Sequence, residues 1–203
     1  MLTAVGLGPG DADLLTLKAV RILEEADTVF VPGGIACELV KPYAKQIVTL
    51  EFPMTRDESV ITECMQRNAE KIAPAAKAGK AVFGLIGDPN YYSTFSRLAE
   101  MVRESYPGLE VETVPGISSI TAVASHAKIP VNGAFLVTDG PTSPATKILM
   151  KVTKPKEAAG LLEAEGYNDF IVVERMYMEG ECVHRGTLPE KTNYFSIMIA
   201  RKV

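Results

Sequence analysis

The chain has 203 residues, 47% hydrophobic and 23% charged, with 21 Lys plus Arg against 25 Asp plus Glu and a net charge of −4. That balance excludes a disordered or fibrous chain, and the length allows one domain or two small ones. No apolar run approaches the roughly 18 to 20 residues of a membrane span, and the acidic charge argues against a protein that coats nucleic acid, which needs a basic surface.

In chain order, residues 3–8 read as a strand that runs into Gly-Pro-Gly-Asp. Leu15, Ala19, Ile22 and Ala26 recur at helical spacing and predict a one-sided helix. A second strand over 27–31 stops at Pro32-Gly33-Gly34, and a third spans 47–50. Residues 57–77 repeat Ile61, Met65, Ala69, Ile72 and Ala76 and predict a helix, which Pro74 is expected to bend or end. The most apolar strand, 81–86, is cut off by Gly87-Asp88-Pro89. Phe95, Leu98 and Val102 mark the next helix, 111–114 the next strand, and Ile117, Ile120 and Ala124 another helix.

Strand and helix in strict turn, with strands that lack polar alternation, predict a parallel sheet covered on both faces. The loops at the carboxyl ends of such strands form the natural binding crevice. Here they are residues 8–11, 32–34, 87–92 and 115–119, and all four contain glycine. After about residue 128 the texture changes. Strands are expected at 135–138, 148–152, 171–173, 182–186 and 194–200, with one helix around 158–162. The fold class predicted is α/β in two domains, 1–128 with a parallel-rich sheet and 129–203 with a mixed sheet.

Cys37, Cys64 and Cys182 form no CxxC pair and no zinc spacing with His126 and His184, so no metal site is expected and the thiols fit a reducing cytoplasm. The first residues carry no basic stretch, so no signal peptide is expected. Gly6-Leu7-Gly8-Pro9-Gly10-Asp11 resembles a dinucleotide fingerprint, but Asp11 stands where the third glycine belongs, beside the phosphate. A nicotinamide-dependent oxidoreductase is therefore disfavoured. Gly79-Lys80 lacks the remainder of a P-loop.

Asp88, at a strand end, either organises a turn or holds a cationic or hydroxylated ligand. Tyr91-Tyr92-Ser93-Thr94 adds rings and hydroxyls suited to a large flat partner. His126 ends a helix, and Lys151 stands in an apolar run where it should snorkel or meet an acidic ligand. Met176, in Arg175-Met176-Tyr177-Met178, reads either as core filling or as a soft contact.

Taken together, four elements resemble the tetrapyrrole methylase family of S-adenosylmethionine-dependent enzymes. These are Val5–Asp11 with Leu14-Leu15-Thr16-Leu17-Lys18-Ala19; Gly87-Asp88-Pro89; Val114-Pro115-Gly116-Ile117-Ser118-Ser119; and the strand-rich C-terminal half. Phe52-Pro53-Met54-Thr55-Arg56-Asp57 and Gly87-Asp88-Pro89-Asn90-Tyr91-Tyr92-Ser93-Thr94-Phe95 are similar to the subgroup that methylates C-20 of precorrin-2 or cobalt-factor II. The chain is short for that subgroup after Val31 and between Ala134 and Thr146.

The resemblance implies a cytoplasmic homodimer with S-adenosylmethionine folded in a cleft between the two domains, and no nucleic-acid or membrane partner. It implies cofactor contacts from Pro9, Ile86, Gly87, Asp88, Tyr91, Ser118, Ser119, Lys151 and Met176. A polycarboxylate tetrapyrrole substrate implies a local basic rim, for which Lys18, Arg56, Arg97, Lys151, Arg175 and Arg185 are candidates. Asp11 and Tyr92 are further substrate-side candidates. No catalytic base stands out; Asp11, Tyr92 and His126 are the residues available. Other readings are a different methylase of the same fold, acting on uroporphyrinogen III, another precorrin, a diphthamide precursor or ribosomal RNA, or a non-catalytic tetrapyrrole binder.

Overall fold

Strands β1 (Leu2–Gly6), β2 (Thr28–Val31), β3 (Ile47–Thr49), β4 (Ala81–Leu85) and β5 (Val111–Val114) form one sheet in the order β3-β2-β4-β1-β5. Every pairing in it is parallel. All five residues of β1 and all five of β4 are buried, in keeping with sequences that, Thr3 apart, carry no polar side chain. The computed structural model describes the chain except residues 127, 129, 133–134, 136, 138–143 and 176–178 and the side chain of Val123.

Successive strand residues point to opposite faces and so feed two cores. Leu2, Ala4, Phe30 and Phe83 pack with α3 (Glu58–Ala78) and α4 (Phe95–Ser105) through Ala69, Ile72, Leu98 and Val102. Val5, Val29 and Val82 pack on the other face with α1 (Leu17–Glu25) and α2 (Gly34–Val40) through Ala19, Leu23, Ala36 and Leu39. A fifth helix, α5 (Ser119–His126), follows β5. Three rings brace the first core. Phe83 stands 5.8 Å from Phe52 and 5.7 Å from Phe95 between centroids.

One local expectation is corrected and one helix was not anticipated. Pro74 does not end α3; the helix continues to Ala78. The proline lies on the exposed side while Ile72, Ala73 and Ala76 are buried, so packing outweighs the lost hydrogen bond. The unanticipated helix is α2, which the Pro32-Gly33-Gly34 stop concealed: its apolar residues occupy fewer than two turns, too few for a clear period.

The chain divides into two units, Met1–Phe135 and Leu136–Val203, a few residues beyond the division expected at 128/129. In the second unit β6 (Thr146–Met150), β7 (Asp169–Glu174), β8 (Cys182–Arg185) and β9 (Ser196–Arg201) form a sheet in the order β6-β9-β7-β8. A mixed sheet was expected here, yet its three pairings are all antiparallel. The crossover through α6 (Pro155–Glu163) does bring β6 and β7 into the same direction, but β9 inserts between them and runs opposite to both. Val172, Met198 and Ala200 pack with Ala159 and Leu162 of α6 to make this unit's core. The strand expected at 135–138 falls partly outside the described residues.

Phe83 is wholly buried and central to the ring stack. Phe83→Ala is expected to lower the unfolding free energy by about 3 to 5 kcal/mol, read by urea denaturation.

Candidate functional site

In the first sheet, β4 and β1 are neighbours, but the chain leaves β1 toward β2 and leaves β4 toward β5. Their carboxyl ends therefore mark the point where the winding reverses, the crevice position of an open α/β sheet. The loops after β1, β4 and β5 meet there through three glycines. A Cβ on Gly6 would stand 2.5 Å from both the Gly116 nitrogen and the Gly87 oxygen. A Cβ on Gly116 would stand 2.3 Å from the same Gly87 oxygen. Real Cβ atoms do not approach backbone so closely, and only glycine fits at either position.

Backbone hydrogen bonds extend the junction. Leu7 N–H donates to the Leu85 carbonyl at 2.8 Å and Gly87 N–H to the Gly8 carbonyl at 2.7 Å. Gly8 and Gly87 both hold left-handed backbone, with φ of 74° and 77°. Asp88, only 7% exposed, ties the β4 loop to the β5 loop. One carboxylate oxygen accepts the Asn90 N–H at 2.8 Å, and the other accepts the Gly116 N–H at 3.1 Å. Both oxygens thus hold loop backbone, the turn-organising alternative for this residue.

Around this frame Ile86 and Tyr91 are exposed and Pro9 is half-buried. The β2 loop reaches the same area: a Cβ on Gly10 would stand 4.0 Å from Ile35 of α2. Ser118 Oγ accepts the Ile120 N–H at 3.2 Å and so serves the start of α5, and Ser119 is that helix's first residue. Asp11 caps a single 3-10 turn over Ala12–Leu14 by accepting the Asp13 N–H at 3.0 Å. The helix that follows starts only at Leu17, capped by Thr16, so it does not open directly on the glycine loop as a dinucleotide site requires.

Beside the junction lies a cavity of about 310 Å³, lined by Pro89, Asn90, Tyr92, Ser93, Thr94, Ser96 and Arg97. Tyr92 is exposed and left-handed, with φ of 50°. Arg97 does line the cavity, yet it forms a two-pronged pair with Glu58 at 2.6 and 3.1 Å. That hydrogen bond holds the Glu58 carboxyl below its ordinary range and raises the Arg97 guanidinium. Lys18 and His126 are exposed on α1 and at the end of α5.

In the second unit, Lys151 and Arg175 immediately follow β6 and β7, and both are left-handed, with φ of 58° and 50°. They flank the start of β9: Val152 N–H donates to the Ser196 carbonyl and Arg175 N–H to the Phe195 carbonyl. The Lys151 ammonium lies 5.1 Å over the Tyr194 ring, and Arg175 donates to the Glu179 carbonyl at 3.3 Å. Arg185 is set back from this edge, opposite Ile171 in the register. Met176 lies outside the described residues.

Glu174 anchors the same edge, accepting from His184 at 2.8 Å and from the Asn193 backbone and side chain at 3.2 and 2.9 Å. Burial raises its pKa, but the hydrogen bonds from His184 and Asn193 outweigh that and leave it below the ordinary 4.5. The buried Ser196 hydroxyl, opposite Glu174, has no hydrogen-bond partner among the described residues.

The sequence did not flag Gly6 and Gly116 as mutual contacts, nor Glu58 as the partner of Arg97. The first had a signal in the turn motifs, the second none, since 39 positions separate the pair.

This is an open, doubly wound α/β sheet with a glycine-framed crevice at its switch point. The family described as "Tetrapyrrole (Corrin/Porphyrin) Methylases" matches residues 1–192, and the chain belongs to it. It is 41% identical over 135 residues to the Methanocaldococcus jannaschii protein named "Probable cobalt-precorrin-2 C(20)-methyltransferase", a match covering 63% of this chain and 57% of that relative. It is 28% identical over 235 aligned positions to the precorrin-2 C(20)-methyltransferase of a Sinorhizobium species, covering 98% of this chain and 94% of the relative. Among solved structures, uroporphyrin-III-C-methyltransferase from Thermus thermophilus shares the fold at a TM-score of 0.50 and 23% identity, covering 99% of this chain and 91% of that one. The chain thus spans little more than half of the first relative and nearly all of the second. Among the described residues no helix is long and apolar enough to cross a membrane.

Two stability measurements probe the geometry. Asp88→Ala strands two backbone N–H groups and is expected to cost about 1 to 3 kcal/mol in chemical denaturation. A depressed carboxyl contributes stability that is complete above its unfolded value and is lost as pH falls through the folded one. Acid titration of unfolding should therefore show a decline beginning below 4.5 that Glu174→Gln reduces.

Proposed function

We propose that this methyltransferase moves a methyl group from S-adenosylmethionine to C-20 of precorrin-2 or cobalt-factor II during corrin synthesis, as a homodimer. The observation that carries this reading is the likeness to the Sinorhizobium precorrin-2 C(20)-methyltransferase over 98% of the chain. The subgroup marks lie at the crevice: Tyr92, Ser93 and Thr94 line its cavity.

The residues present suit a nucleoside sulfonium. Ile86 and Tyr91 offer exposed apolar and aromatic surface for a base, next to backbone polar groups held by left-handed glycines. No bulky side chain fills the space at Gly87, where an added Cβ would meet nothing within 4 Å. When bound, the cofactor supplies an already electrophilic methyl group. The protein's work is then to align the acceptor carbon with it and to exclude water. The Gly8–Gly87 bridge ties the two loops together, and Pro9 and Tyr91 follow these glycines in their loops. Asp88 acts through the β5 loop by holding Gly116. Tyr92, on the cavity lining, is the residue best placed to meet the macrocycle or the proton leaving C-20.

The decisive test is anaerobic incubation with labelled S-adenosylmethionine and either precorrin-2 or cobalt-factor II. A trimethylated tetrapyrrole labelled at C-20 is expected by mass and NMR; label at C-2 or C-7 of uroporphyrinogen III would assign the protein to a different methylase. Gly87→Val places a side chain in the open space and strains a left-handed residue. It should weaken S-adenosylhomocysteine binding at least about tenfold in calorimetry.

A further inference from the structure

Residues 51–57 join β3 to α3 and are fixed at both ends. The Glu51 carbonyl accepts from the buried Asn68 amide at 2.8 Å and from the Cys64 thiol at 2.9 Å. Phe52 packs tilted against Phe83, with ring centroids 5.8 Å apart. At the far end Asp57 caps α3, accepting from Ser59 N–H at 2.9 Å and donating its own N–H to Thr55 Oγ1 at 3.1 Å. The next residue, Glu58, grips Arg97 on the cavity lining. The loop is therefore held against that rim at its C-terminal end.

The braced loop presents Met54, wholly exposed at 103% of its reference area and so available to cover an apolar partner. Two residues on, Arg56 is exposed and makes no ion pair or hydrogen bond among the described residues. Arg97, the other cation at this rim, is committed to Glu58. An apolar contact and a free guanidinium on a braced loop match a flat macrocycle edged with carboxylates: the thioether packs on the ring face and the fork binds a carboxylate arm.

We infer that the 51–57 loop is a substrate-selecting arm, with Met54 packing on the tetrapyrrole and Arg56 pairing with one of its side-arm carboxylates. The inference rests on the tetrapyrrole reading above and extends it to specific contacts. Both residues act on substrate affinity and choice and leave cofactor binding alone.

The test uses the full chain, with uroporphyrin III as the macrocycle probe by fluorescence titration and S-adenosylhomocysteine by calorimetry. Arg56→Ala should weaken uroporphyrin binding about tenfold and flatten its salt dependence. Arg56→Lys should recover part of the loss. Met54→Ser should weaken binding roughly threefold. Cofactor affinity and melting temperature should stay at wild-type values in all three. Wild-type uroporphyrin affinity in Arg56→Ala and Met54→Ser, with the parent protein binding the macrocycle, overturns the role of the loop and spares the tetrapyrrole reading. A parent protein that binds cofactor but no macrocycle overturns both.

Discussion

The site depends on a steric condition: Gly6, Gly87 and Gly116 lie so close that no Cβ fits at the first or the last. With the side chains gone, three loops from adjacent strands approach backbone to backbone at the carboxyl end of the sheet. The buried Asp88 carboxylate then accepts N–H groups from two of those loops, satisfying donors that the close packing removes from water. A crevice built this way is rigid at its floor and leaves Ile86 and Tyr91 free at its mouth. Such preorganisation suits group transfer, where alignment contributes more than any acid or base.

Charge is handled locally. The chain is net acidic, so attraction of a polyanion has to come from particular cations rather than from the overall field. The structure sorts the candidates by what already holds them. Arg97 is paired with Glu58, Lys151 is drawn over Tyr194, and Arg175 reaches the Glu179 carbonyl. Arg56, Lys18 and Arg185 have no such partner among the described residues, and of these Arg56 stands on the braced loop. In the second unit, the Glu174–His184–Asn193 bonds fix the segment that delivers Tyr194 and Phe195 to the start of β9. Lys151 and Arg175 flank the same end of β9 because β6 and β7 run in the same direction with β9 between them.

Much of this was legible in the sequence, because periodicity and turn chemistry are local. Apolar runs closed by glycine located β1 and β4, the Pro115-Gly116 turn marked the end of β5, the long stripe from Ile61 to Ala76 located α3, and the joint occurrence of four loop motifs pointed to the family. Local signals failed where a tertiary contact overrode them. Pro74 was tolerated because the buried stripe of α3 held the helix on both sides of it. The short helix α2 formed because Ala36, Leu39 and Val40 had a core to enter.

The sequence by itself determined roughly where most strands lie, which turns carry glycine, and the family. Only the tertiary structure decided what those residues do to one another. That Gly6 meets Gly116, that both oxygens of Asp88 hold backbone, and that Glu58 claims Arg97 across 39 positions are facts of strand order and helix packing. Antiparallel pairing throughout the second sheet is likewise decided by where β9 inserts. The physical reason is common to all of them: hydrogen bonding and steric exclusion act over a few ångströms in space, and strand order alone fixes which distant residues come within that range.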